Sequence, residues 1–232
     1  MTRPAGTQAP VNLTMPTAPR TAAGNHRISL PDLLADPLVR LGGGVAALLA
    51  TASAVRPDRV SLWEARTFRV INGLPDSLQL PAWVVMQLGT LGAVPAVAAT
   101  AWLAGDGELA CRLLVGGTGT WGLSKVVKRI VRRPRPTALL PGTRRRGREA
   151  AGLGYLSGHA AVAVALGAIA IPRLGPVGRA LARSAIPLVG LTRVYVGAHL
   201  PLDIAGGAAM GLAVAATVDL AGAQARRPRA SR

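Results

Sequence analysis

The chain has 232 residues, half of them apolar but only 3% aromatic, so its hydrophobicity rests on Ala, Val, Leu and Gly rather than on the large rings of a soluble core. Its 27 basic against 10 acidic residues give a formal charge of +17, a balance that ordinarily raises nucleic acid as a partner. The charge is segregated, however: 83–104 and 204–218 carry no basic residue while Lys and Arg crowd into 125–148 and 226–232, which argues against nucleic acid and for a membrane protein with cationic loops.

Taken in chain order, residues 1–36 are rich in Pro, Thr, Ala and Arg with no continuous apolar stretch, which predicts a disordered or interfacial tail rather than a secretory signal. A bilayer span needs roughly 17 to 25 mostly apolar residues. Six windows approach that length, over about 37–55, 80–104, 109–130, 157–171, 177–196 and 201–221. Residues 56–76 mix charge with Trp63, Phe68, Val70, Ile71 and Leu74, which predicts an interfacial segment rather than a seventh span. Arg112, near the start of the third window, is expected to snorkel to the lipid interface, and Cys111 beside it reads as a small buried thiol. The basic residues of 222–232 form a C-terminal tail. Arginine dominates the cations, with Lys125 and Lys128 the only lysines, a usage typical of GC-rich bacterial genomes. The fold class expected is all-α: one membrane-embedded helical bundle over residues 37–221, its helices packed closely through small residues such as Gly206 and Gly207.

Alternation of six spans puts the end of the third, the start of the fourth, the end of the fifth and the start of the sixth on one face. Those four places hold Lys128 and Arg135, then Ser157-Gly158-His159, then Arg193 and His199, then Asp203. Ionisable groups at membrane depth are costly and mark function. Ser157, before an Ala-rich run, predicts a helix N-cap whose free N–H groups suit a phosphate, and Gly158 lets an anion approach the backbone. Pro201 suits the first helical position, which puts Asp203 in the first turn, within reach of His199. A carboxylate on one imidazole nitrogen orients the ring and strengthens the other nitrogen as a nucleophile. Pro134 and Pro136 hold Arg135 on extended backbone beyond the third span. Guanidinium and ammonium groups are phosphate ligands. Arg129, Arg132 and 144–148 read as contacts to anionic lipid head groups.

These residues resemble the three motifs of the type 2 phosphatidic acid phosphatase superfamily, the lipid phosphate phosphatases: Lys-x6-Arg-Pro at Lys128, Arg135 and Pro136; Pro-Ser-Gly-His at Ser157, Gly158 and His159; Ser-Arg-x5-His-x3-Asp at Arg193, His199 and Asp203. The resemblance covers about 37–221. Two positions depart from the pattern: Thr192 stands for serine and keeps the hydroxyl, and Leu156 stands for proline, which predicts a less rigid presentation of Ser157. The resemblance implies a bundle of about six transmembrane helices with an acid phosphatase/vanadium haloperoxidase-like core, and a phosphorylated lipid as substrate. It implies that His199 attacks phosphorus, Asp203 orients it, and His159 protonates the leaving oxygen. Lys128, Arg135, Ser157, Gly158 and Arg193 would hold the phosphate, with no metal and no cofactor. It further implies a bacterial plasma membrane with the site facing outward, against which the charge of 125–148 runs counter to the positive-inside tendency. Competing readings are a metal site of two histidines and a carboxylate, disfavoured by the surrounding cations, a head-group transferase using the same histidine, and a non-catalytic binder of anionic lipid.

Overall fold

The computed structural model describes residues 36–148 and 152–226. The N-terminal tail up to residue 35 and the tail from residue 227 lie outside the described residues. Among the described residues the chain is helical throughout, without a strand. Its helices are α1 (Pro37–Ala54), α2 (Leu62–Asn72), α3 (Gln79–Met86), α4 (Ala93–Leu103), α5 (Gly107–Val131), the single turn α6 (Pro136–Leu139), α7 (Gly158–Ala170), α8 (Pro176–Tyr195) and α9 (Pro201–Ala225).

Each expected window holds helix. Pro37–Ala54 and Pro201–Ala225 are long and apolar enough to cross a membrane by themselves. The window 80–104 is not one straight helix: Asp76–Gly89 and Ala93–Leu103 meet at a bend of 67°. The break has a steric cause, because a side chain at Gly89 would put its Cβ 2.5 Å from the His159 carbonyl oxygen. Thr90 then leaves the helix on extended backbone, and its hydroxyl accepts the Ala93 N–H at 3.3 Å where α4 begins. The segment 56–76 forms α2, too short to span. It is more than a surface element, since it buries Glu64, Ala65, Phe68 and Asn72.

Local signals set the helix starts. The Asp36 carboxylate accepts from Leu38 N at 2.7 Å ahead of α1, Asp106 accepts from Leu109 N at 2.9 Å ahead of α5, and the Ser157 hydroxyl accepts from Ala160 N at 3.4 Å ahead of α7. Pro37, Pro176 and Pro201 each occupy a first helical position. α9 runs through the middle, against α1 on one side and α7 on the other. A Cβ on Gly207 would lie 2.4 Å from the Ser157 carbonyl, and one on Gly211 2.3 Å from that of Ala161. Small residues therefore set the separation of the two helices that carry the candidate site. Gly211→Val is expected to lower the melting temperature in detergent, corresponding to roughly 1–3 kcal/mol of overpacking; an unchanged melt would mean that α7 and α9 can separate freely.

Outside the bundle the helices are apolar. Leu49, Leu80, Val84, Trp102, Leu103, Val115 and Ile130 are exposed, as is each of the four tryptophans. A water-soluble monomer does not present such a surface, and a bilayer requires it. Cys111 is exposed as well, rather than buried, because it falls on the outward face of α5. Arg112 does not snorkel: it pairs with Asp219 of α9, as does Arg40 of α1. This ionic layer lies sixteen residues along α9 from Asp203, about 24 Å at 1.5 Å per residue. The bundle thus carries a polar layer near each end and apolar surface between, on the scale of the ~30 Å hydrocarbon core.

Candidate active site

Three chain breaks deliver side chains to the end of the bundle opposite Asp219. At the end of α5, Arg132 adopts a left-handed conformation (φ 54°) and its N–H closes on Lys128 O. That C-cap reverses the chain, so Arg133 turns inward and Arg135 continues on extended backbone before Pro136 starts the next turn. At the start of α7, Leu156 occupies the place where proline was expected. It is wholly buried with Val55, Tyr155, Ala161 and Met210, and Ser157 N–H donates to Asp203 O at 2.8 Å. Packing of Leu156 and this bond hold Ser157 in the place of the missing proline ring. At the end of α8, Gly197 takes φ 75°, the left-handed position that releases the helix into Ala198 and His199. A Cβ there would sit 2.5 Å from Arg144 O, which leaves glycine as the residue that fits.

The residues expected from the sequence come together. His199 is 2% exposed, and its Nδ1 faces Asp203 Oδ2 at 3.5 Å, longer than a hydrogen bond. Such contacts are often long in a free enzyme and shorten when substrate binds. Asp203 Oδ2 is fixed meanwhile by the Leu200 N–H at 2.9 Å. Burial first, and then the charges of Lys128, Arg193 and Arg135, hold the His199 pKa well below the ordinary imidazole value, with the Gly154 carbonyl opposing. The ring is therefore neutral at pH 7, the form a nucleophile requires. His159, half-buried on the first turn of α7, lies within the electrostatic reach of Arg193, His199, Lys128 and Arg135. Lys128 Nζ donates to the Leu153 and Gly154 carbonyls, both at 3.0 Å. Arg135 donates through Nε to Gly152 O at 3.0 Å and through Nη1 to Ala198 O at 2.8 Å. Arg193 is buried, with Nη1 3.2 Å from Met86 Sδ and no partner for Nε. Gly158 packs against α5, where a Cβ on it would lie 3.3 Å from Ser124 Oγ.

Arg135 and Arg193 line a cavity of about 330 Å³, together with Trp83, Met86, Ala198 and the loop from Arg145 to Arg148. His199, which follows Ala198 in the chain, is buried and is not part of this lining. A second cavity of about 360 Å³ shares Trp83, Met86, Arg146, Gly147 and Val196 with the first and extends to Leu80 on the outer face of α3.

Two groups were not legible in the motifs. Arg133, 1% exposed, donates through Nη2 to Glu64 Oε2 at 2.7 Å and through Nη1 to Glu64 Oε1 and Asp203 Oδ1, both at 3.0 Å. Glu64 Oε1 also accepts the Leu202 N–H at 3.0 Å. The carboxylate behind His199 is thus held by an arginine, and that arginine by a carboxylate from α2. The second is Arg146, which the sequence assigned to lipid head groups. It is buried instead, donating to Asp76 Oδ1 (2.8 Å) and to the carbonyls of Asn72 (2.9 Å), Leu74 (2.8 Å) and Tyr195 (2.7 Å), and it stacks on the Tyr195 ring. Its partners lie 49 to 74 residues away, beyond any local signal.

The PAP2 superfamily model matches residues 109–225, just over half of the chain. No curated protein matches. Among solved structures, the chain is similar to a transmembrane PAP2-type phosphatidylglycerolphosphate phosphatase from Bacillus subtilis, at 23% identity and TM-score 0.62, over 81% of this chain and 99% of that one. It is also similar to LpxE from Aquifex aeolicus, at 21% identity and TM-score 0.62, over 67% of this chain and 93% of that one. At 81% of the chain the first of these likenesses is wider than the matched segment, and the three motifs fall within residues 109–225: the chain belongs to the PAP2 superfamily and is by class a membrane phosphatase.

Proposed function

We propose that the protein hydrolyses the phosphate of a membrane lipid, of the phosphatidate or polyprenyl (di)phosphate type, through a phosphohistidine on His199. The observation that carries this reading is a buried imidazole, His199, whose Nδ1 faces the Asp203 carboxylate at 3.5 Å and on which the charges of Lys128, Arg135 and Arg193 act. Nε2 of His199 attacks phosphorus, and the bond to the lipid oxygen breaks as His159 gives that oxygen a proton. Water, losing its proton to His159, then releases inorganic phosphate. The three cations and the N–H groups at the start of α7 stabilise charge on the equatorial oxygens. The second cavity supports a lipid substrate, because it shares part of its lining with the cationic chamber and reaches Leu80 and Trp83, both exposed apolar residues. In this reading, as the family resemblance implies, the site faces outward from a bacterial plasma membrane.

Purified protein in detergent is expected to release phosphate from at least one of phosphatidate, a polyprenyl phosphate and a polyprenyl diphosphate, with chelator present. Transfer of the phosphate group to an added alcohol instead of water would identify a transferase. Absence of turnover on every lipid, in folded protein, would leave only a binding role. The depressed pKa of His199 has its own consequence. Protonation removes the nucleophile, so a lowered pKa moves that loss to lower pH. After allowance for the substrate's second ionisation near pH ~6, phosphoenzyme formation should persist below the ordinary imidazole pKa of about 6.5. A midpoint at that ordinary value would mean that His199 is not shielded by burial and its cationic neighbours.

A further inference from the structure

The last four carbonyls of α8 have no partner inside the helix, and three of them are taken by the chain that follows. Thr192 O accepts the Val196 N–H at 3.0 Å, Val194 O that of Gly197 at 3.0 Å, and Arg193 O those of Ala198 at 3.1 Å and His199 at 3.2 Å. The fourth, Tyr195 O, is taken from outside, by Asn72 Nδ2 at 2.8 Å and Arg146 Nη1 at 2.7 Å. The next carbonyl, Val196 O, accepts the Arg146 N–H at 3.1 Å. A cation at this end of a helix is also favoured by the helix dipole.

Both outside residues are themselves anchored. Asn72, the last residue of α2, donates through Nδ2 to Arg144 O at 2.7 Å as well and accepts the Arg144 N–H on Oδ1 at 2.9 Å. The Arg146 guanidinium reaches Asp76 and the carbonyls of Asn72 and Leu74, and it lies 4.1 Å over the Tyr195 ring, whose hydroxyl donates to Pro75 O at 2.8 Å. The clamp thus joins the end of α2, the loop after α6 and the end of α8, four residues ahead of His199. Arg144 O is brought against Gly197, so the turn toward the nucleophile is backed from behind. The His199 ring depends on this backbone for its place, because its Nδ1 has no hydrogen-bond partner of normal length.

Resting on the phosphatase reading above, we infer that Asn72 and Arg146 are positioning residues for the reaction, which act through the carbonyls of Tyr195 and Val196 to fix the backbone that aims His199 at phosphorus. Lys128 on α5 and Arg193 in the body of α8 hold the phosphate independently of this clamp. Loss of the clamp therefore affects the attack more than the binding.

The test uses Asn72→Ala, Arg146→Met and Arg146→Lys in the full chain. None of these leaves a buried charge behind, since the Asp76 side chain is 75% exposed. With phosphatidate or a polyprenyl phosphate, whichever wild type turns over, kcat should fall about tenfold to hundredfold in Asn72→Ala and Arg146→Met, the scale of a misplaced reacting group. KM should stay within about threefold, and Arg146→Lys, which keeps the charge and a donor, should regain part of kcat. Hydrogen exchange read by mass spectrometry over 195–200 should quicken about tenfold at the Ala198 and His199 amides, with α9 unchanged. Unchanged exchange there would overturn the inference, and a rise in KM in its place would make Arg146 a substrate ligand. Faster exchange throughout the bundle would overturn it too, leaving a merely structural contact. If wild type hydrolyses no lipid but the variants loosen 195–200 alone, the phosphatase reading falls and the positioning of His199 by Asn72 and Arg146 stands.

Discussion

His199→Ala is expected to cut phosphate release by about 10³-fold or more, the usual loss when a covalent nucleophile is removed. The structure provides no obvious substitute. His159 sits on the first turn of α7, where the proposed cycle uses it for proton transfer, and Lys128, Arg135 and Arg193 are engaged by backbone carbonyls and the Met86 sulfur. Nδ1 has no hydrogen-bond partner within normal length, so the variant loses the contact with the Gly154 carbonyl and the packing of a buried ring. Folded protein should therefore be recoverable, and gel filtration with circular dichroism verifies it. Retention of a tenth of the wild-type rate or more would mean that water, not His199, attacks phosphorus. Asp203→Asn keeps a side chain of the same shape and should show a smaller loss, with the orientation of the ring impaired but the nucleophile present.

Arg133→Met is expected to be the most destabilising single change near the site. It removes the one guanidinium shared by two carboxylates that are 1% and 0% exposed. A buried ion pair broken from one side typically costs about 3–5 kcal/mol, because the remaining charge stays buried without its partner. Here two such charges remain. At 2–4 °C per kcal/mol for a chain of this size, a fall in melting temperature on the order of 10 °C follows. Activity should fall also, since Asp203 loses the contact that holds its Oδ1. Glu64→Gln combined with Arg133→Met removes two of the three charges and should recover part of the stability. A melt unchanged in Arg133→Met would show that water reaches the triad and that it is not buried as a unit.

The two findings explain what could be read from the sequence. The motif residues were legible because each is polar at the end of an apolar run, where the cost of placing it demands a reason, and because Ser157 and Pro201 carry local helix-start chemistry. Glu64 carried no such signal. It sits 69 residues from Arg133 in a stretch that is amphipathic in any reading, and Arg133 was hidden in a run of four arginines of which it alone is fully buried. What sends it inward is the left-handed C-cap at Arg132, a conformation that no residue type there announces. Arg146 was masked in the same way by its basic neighbours. A usable clue existed: with 10 acidic residues against 27 basic ones, each acidic residue has many possible partners, so those placed in apolar surroundings, such as Glu64 and Asp219, are the ones to pair first. Asp219 likewise overrode the snorkelling expected of Arg112, as a partner inside the bundle supplies the counter-charge that the interface would otherwise provide. The bend near Gly89 was beyond a hydropathy window, since it arises from the close approach of the His159 carbonyl in a helix 70 residues later.

The most direct measurement is to trap the phosphoenzyme. Folded wild-type protein is mixed with a radiolabelled lipid phosphate, quenched in alkali within the first turnover and mapped by peptide mass spectrometry. Label that is stable to base, labile to acid and located on His199 is the predicted result; turnover with no label on His199, or label on another residue, would contradict the account.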